Sequence, residues 1–154
     1  MKDDRTAPSP PRRILVVDDD REIRQFSTKV LIRSGYQVDA AEDGAAAWEA
    51  LQIEAFNLLI TDHNMPKLTG VELVKKLRSA RLAVPVILAT GTLPSAELDR
   101  NPNLELAAML LKPFTTDDLL RTVREVLRAT DSRREPGAPS PDLQSQASAG
   151  AWRL

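Results

Sequence analysis

Asp18, Asp19 and Asp20 stand consecutively after the apolar run Ile14-Leu15-Val16-Val17. Like charges this close repel, by roughly 4 kcal/mol for a pair ~4 Å apart at an effective dielectric near 20. A divalent cation removes that repulsion, and carboxylate and water oxygens suit a hard ion such as Mg2+. The same triplet also reads as a solvated turn in which Asp20 caps a helix. Asp62, Thr90 and Lys112 are the other residues with chemistry to offer. A carboxylate such as Asp62 can act as a nucleophile toward phosphorus and form an aspartyl-phosphate. Asp18 and Asp19 could hold a metal that neutralises oxygens on the transferring group. Thr90 could donate a hydrogen bond to one such oxygen, and Lys112 could pair with another as a compact point charge. Singly, each has a plainer reading: a turn residue before Pro66, a loop hydroxyl, a surface lysine.

The elements between these residues decide whether they meet. Four consecutive aliphatic residues at 14–17 read as a strand buried on both faces. Ile23, Phe26, Val30 and Leu31 then recur at helical spacing, and Gly35 is a natural C′ residue for that helix. Gln37 to Ala41 predicts a second strand, and a helix follows Asp43-Gly44 with Ala47, Ala50 and Leu51 inward. Leu58-Leu59-Ile60 predicts a third strand ending at Thr61-Asp62. Thr69 and Glu72 form a capping-box pair that opens a helix through Val71, Leu73, Val74 and Leu77. Val84 to Ala89 predicts a fourth strand; 94–106 allows a short irregular helix limited by Pro102. Ala108 to Leu111 predicts the fifth strand, broken by Lys112-Pro113. Thr115 or Thr116 caps a last helix carrying Leu119, Leu120, Val123, Val126 and Leu127.

Serial β–α units predict a parallel sheet with helices on both faces. Right-handed crossovers put every strand's C-terminal end on one rim, where open α/β sheets bind ligands. Asp18 and Asp19, Asp62, Thr90 and Lys112 all fall at such ends.

Composition excludes competing chemistry. The 154 residues include no cysteine and a single histidine, which removes disulfides, thiolate metal sites and Cys nucleophiles. Net charge is -1 with no basic block, which argues against a large nucleic-acid footprint. No apolar run approaches the ~20 residues of a membrane span, and Met1-Lys2-Asp3-Asp4-Arg5 lacks a signal peptide's apolar core, so a cytoplasmic location is expected. Six of the eleven prolines lie at the ends, Pro8, Pro10, Pro11, Pro136, Pro139 and Pro141. Disordered tails are therefore expected at 1–11 and 131–154, flanking a domain at 12–130, with Trp152 an untethered tail residue.

The segments ILVVDDD, LLITDHNMPKLTG, VILATG and LLKPF, in this order, resemble the receiver domain of bacterial two-component response regulators. The resemblance covers about residues 12–130. It implies a (βα)5 flavodoxin-like, doubly wound parallel five-stranded sheet of order 2-1-3-4-5. It also implies that Asp62 is the phosphoacceptor and that Asp18 and Asp19 are the acidic Mg2+ pair. Asn64 matches the position whose backbone carbonyl joins the metal, Thr90 the switch hydroxyl, and Lys112 the phosphate-pairing lysine. Lys112-Pro113 resembles the family's cis peptide. The implied partners are a histidine kinase or histidine phosphotransfer protein upstream and a protein of unknown identity downstream. The reading is a stand-alone phosphoacceptor rather than a turnover enzyme, with no DNA-binding domain, since residues 131–154 are few and polar.

One departure stands out. The family usually has Tyr or Phe three residues before the lysine, and this chain has Met109. Met lacks an aromatic ring's defined two-position switch. His63, next to Asp62, is expected to point away from it, toward solvent or a supporting contact. Gly91 is expected to leave space beside Thr90. Two alternatives are weaker. A haloacid-dehalogenase-type phosphatase would need Thr or Val where Glu22 stands. A scaffold that signals without phosphate has no need of the full set of rim residues.

Overall fold

The computed structural model describes residues 10–134. The rest of the expected tails, including Trp152, lies outside the described residues. Five strands form one parallel sheet: β1 (Arg13–Val17), β2 (Gln37–Ala41), β3 (Leu58–Thr61), β4 (Val86–Thr90) and β5 (Ala108–Leu111). Their order is β2-β1-β3-β4-β5. The helices between and after them are α1 (Arg21–Arg33), α2 (Gly44–Ile53), α3 (Gly70–Ser79), α4 (Ser95–Arg100) and α5 (Thr116–Arg134). The strand order and fold class are those the sequence led us to expect.

Alternation along the strands builds two cores. Ile14, Val16, Leu58, Ile60, Ile87 and Ala89 face one side, against Leu31 of α1 and Leu119, Val123 and Leu127 of α5. Leu15, Val17, Leu59 and Val86 face the other, against Ala47 and Leu51 of α2 and Val71, Val74 and Leu77 of α3. Both faces of β1, β3 and β4 are covered, as continuous aliphatic runs require. β5 is an edge strand with Leu110 buried but Met109 36% and Leu111 54% exposed.

Local signals set the helix ends. Asp20 caps α1, accepting from the amides of Glu22 and Ile23 at 2.9 and 3.2 Å. Gly35 sits at C′ with φ 97°, where an L side chain would be strained. Thr69 and Glu72 form the expected reciprocal box at the start of α3. Thr115, not Thr116, caps α5: its Oγ1 accepts from Asp118 N at 3.0 Å.

Several boundaries differ from the sequence reading, beginning with β1, which starts at Arg13 rather than Ile14. β4 starts at Val86 rather than Val84, because Pro85 has no N–H to offer the ladder and serves it only as an acceptor, for Leu59 N at 2.9 Å. Thr90 is the last residue of β4 rather than the one after it. α5 continues to Arg134, so 131–134 belong to the last helix, not to a tail. Asp131 there forms an ion pair with Arg12, ahead of β1.

Candidate functional site

Strand register assembles the site. Val17 pairs with Thr61 across β1 and β3, so Asp18 and Asp62 leave the sheet side by side. Thr90 pairs with Leu111 across β4 and β5, which puts Lys112 one step beyond Thr90. The ladder extends into the site: Asp62 N donates to Val17 O at 3.0 Å and Lys112 N to Thr90 O at 3.0 Å. Residues up to 94 positions apart in sequence thereby share one pocket.

Asp18 and Asp62 are buried, 3% and 6% exposed, and one ammonium serves both. Lys112 Nζ lies 2.7 Å from Asp18 Oδ2 and 3.2 Å from Asp62 Oδ2. Asp18 Oδ1 accepts from Asp20 N at 2.9 Å, while the Asp18 carbonyl accepts from the Arg24 guanidinium at 2.7 Å. Asp62 Oδ1 accepts from His63 N at 2.7 Å and Asn64 N at 3.4 Å. Asn64 is exposed in the loop that follows.

Burial pushes the Asp18 carboxyl above the ordinary range, against the opposing pull of Lys112 and the Asp20 amide; the neighbouring Asp62 charge adds to the rise. Burial works to lower the Lys112 ammonium, but its hydrogen bond to Asp18 and the charges of Asp18 and Asp62 outweigh it, and the net shift is upward. The two directions agree physically. One cation between two buried anions is held firmly, while each anion receives only part of its compensation.

Carboxylate oxygens of Asp18, Asp19 and Asp62 lie within 4.8 Å of one another, with Asp19 exposed at the rim. An all-oxygen set of two buried carboxylates and one open to solvent fits a hard cation. The opening triplet therefore divides: Asp18 and Asp19 join this cluster, and Asp20 is committed to capping α1.

Thr90 is fully buried, and its hydroxyl donates to Thr92 O at 3.2 Å. Lys112-Pro113 is cis. Among the described residues, nothing beyond Gly91 and its chain neighbours lies within 4 Å of where a Gly91 Cβ would stand. Met109 is exposed on the edge strand, away from both cores.

Two features were not read from the sequence. His63 points away from the carboxylates, as expected, but it is only 6% exposed and engaged on both ring nitrogens. Gly70 opens α3 against the Asp62–His63 backbone: a Cβ there would stand 2.2 Å from Asp62 O and 2.9 Å from His63 Cα. A glycine directly after a capping threonine, where any helix former would serve, was the available signal.

Comparison with known proteins agrees with this geometry. The family described as the response regulator receiver domain matches residues 14–124. The chain is 36% identical over 121 residues to the response regulator receiver protein CpdR of Brucella abortus, covering 77% of this chain and 98% of CpdR. It is 35% identical to the alkaline phosphatase synthesis transcriptional regulatory protein PhoP of Bacillus subtilis, covering 87% of this chain but 54% of PhoP, about half its length. The solved response regulator TrrA of Thermotoga maritima, in complex with Mg2+-BeF, superposes with a TM-score of 0.67 at 30% identity, over 75% of this chain and 98% of TrrA. Sheet order, carboxylate cluster and family match coincide on one assignment: the chain belongs to the response regulator receiver domains of two-component systems.

Proposed function

We propose that Asp62 accepts a phosphoryl group from the phosphohistidine of a sensor kinase or phosphotransfer protein, in an Mg2+-dependent reaction. The observation that carries this reading is the Asp18–Lys112–Asp62 arrangement, a buried acceptor carboxylate beside a second carboxylate and one shared ammonium. A carboxylate oxygen of Asp62 attacks phosphorus. The new P–O bond forms as the donor's P–N bond breaks, and the departing imidazole takes up a proton. The amides of His63 and Asn64 hold Oδ1, which leaves fewer orientations for the acceptor to sample. Lys112 pairs with a phosphoryl oxygen as negative charge leaves the carboxylate, and the Thr90 hydroxyl turns from Thr92 O to donate to another.

Asp18, Asp19, Asp62 and the Asn64 carbonyl would hold Mg2+, which supplies positive charge to the transferring oxygens. The TrrA complex with Mg2+-BeF supports that choice of ion. The protein acts on itself rather than turning over a substrate. Its output runs through protein contact or onward phosphotransfer, in the cytoplasm and without nucleic-acid contact by this domain, in keeping with a net charge of -1.

Incubation with acetyl phosphate and Mg2+, followed by a Phos-tag gel, tests the reading. A shifted band is expected, and it should disappear in Asp62→Asn and on chelation of the metal. A band that survives Asp62→Asn would show that the acceptor lies elsewhere.

A further inference from the structure

We propose that His63 is a positioning residue that transmits the state of Asp62 to α4 through Glu97. This rests on Asp62 being the phosphoacceptor. The His63 amide donates to Asp62 Oδ1 at 2.7 Å. Its ring Nδ1 accepts from Val71 N at 3.3 Å, at the start of α3. That bond needs the lone pair of Nδ1, so the ring proton sits on Nε2, which donates to Glu97 Oε1 on α4 at 3.0 Å. One residue thus touches the acceptor carboxylate, α3 and α4.

The backing behind this residue is stiff. The Gly70 amide donates to His63 O at 2.9 Å, and a Cβ at position 70 would stand 2.2 Å from Asp62 O. The peptide between Asp62 and His63 is packed directly against α3 and has no slack on that side. Esterification of Asp62 takes one carboxylate oxygen into a P–O bond and moves its negative charge onto phosphoryl oxygens. That changes what the His63 amide bonds to, and with α3 fixed the adjustment passes toward Glu97.

The receiving end is loose. α4 is six residues long, has no side-chain cap and contains no buried residue. Leu98 is only partly buried against the core, and Glu97 O accepts from Asn101 Nδ2 at 2.7 Å within the same segment. An element held by so few contacts moves for a small change in free energy. Met109 offers no aromatic ring between Thr90 and this surface, and it is 36% exposed. The His63–Glu97 bond connects the pocket to α4 without needing one.

Nitrogen-15 NMR of the full chain, with Mg2+ and beryllofluoride as the probe, tests the link. In wild type, shifts are expected in the pocket, at Asp18, Asp19, Thr90 and Lys112, and across 95–100. Glu97→Gln keeps an acceptor for Nε2–H and should keep both sets. Glu97→Ala should keep the pocket shifts but reduce those at 95–100 by about threefold or more, within the range for a coupling residue. Full-size shifts at 95–100 in Glu97→Ala overturn the proposal. So does loss of amide protection at 95–100 in the free Glu97→Ala protein, which would mark a purely structural role. Absence of pocket shifts in wild type overturns the phosphoacceptor reading, and the proposal with it.

Discussion

The rim between β1 and β3 and two lightly packed elements, α4 and the edge strand β5, are built in opposite ways. At the rim, Asp18 and Asp62 are 3% and 6% exposed, and each carboxylate accepts from a backbone amide and shares Lys112. The helices beside it start at side-chain caps, Asp20 for α1 and Thr69 with Glu72 for α3. Of the lightly packed elements, α4 has no side-chain cap and no buried residue, and in β5 Met109 and Leu111 are 36% and 54% exposed. The contrast suits the function proposed above. Chemistry at phosphorus needs atoms fixed before the reaction. A surface that reports the result needs two arrangements close in free energy, which tight packing forbids.

Substitutions on the two sides of this contrast should differ in the size of their effects. Gly70→Ala places a methyl against backbone that cannot step aside, and should destabilise by about 2–3 kcal/mol in urea unfolding. A loss below ~0.5 kcal/mol would mean that α3 is not pressed on the Asp62–His63 peptide. Asp18→Asn should act in the other direction in metal-free protein. A folded pKa raised by burial means the group's contribution is complete below the ordinary carboxylate range and is lost as pH rises through the folded value. The variant should therefore melt higher than wild type at neutral pH, with the difference closing on acidification. By the same shift, protons should compete with Mg2+ in wild type, and its affinity in calorimetry should weaken as pH falls.

Smaller effects separate capped from uncapped helices. Thr69→Ala should cost about 1 kcal/mol, the usual worth of an N-cap. Its partner Glu72 is held below the ordinary carboxylate range, chiefly by the Thr69 amide. That contribution is present above the ordinary range and lost as pH falls through the folded value, so Glu72→Gln, which cannot titrate, should flatten the acid limb of the unfolding curve. Leu111→Ser on the edge should change stability by less than ~0.5 kcal/mol, because little is buried there to lose. A larger loss would show that the edge is packed after all.

The rim was legible in the sequence because it depends on short-range signals. Aliphatic runs ended in Asp18, Asp62 and Lys112, and a parallel sheet gathers such ends whatever the details of its loops. The caps at Asp20, Thr69 and Gly35 were legible for the same reason, since each acts within a few residues. Val84 misled because a proline next to it withdrew a donor that pattern alone does not count. The helical continuation to Arg134 was hidden by a polar composition that reads equally well as a tail. There, Thr130 Oγ1 bonds back to Val126 O at 3.0 Å and Asp131 reaches Arg12.

His63 and Gly70 show where sequence reading stops. Alternation fixes the side on which His63 emerges, but its bonds to Val71 and to Glu97, 34 residues away, exist only once α3 and α4 are in place. Gly70 looks like an indifferent first residue of a helix until the peptide of Asp62 is found against it. The sequence by itself determined the elements, the sheet they form and the charged groups on its rim, because local geometry and periodic burial are properties of neighbouring residues. Tertiary structure decided how one ammonium is shared between two buried carboxylates and which side chain links the Asp62 loop to α4. Those depend on distances across strands and loops, which close packing sets and spacing along the chain does not.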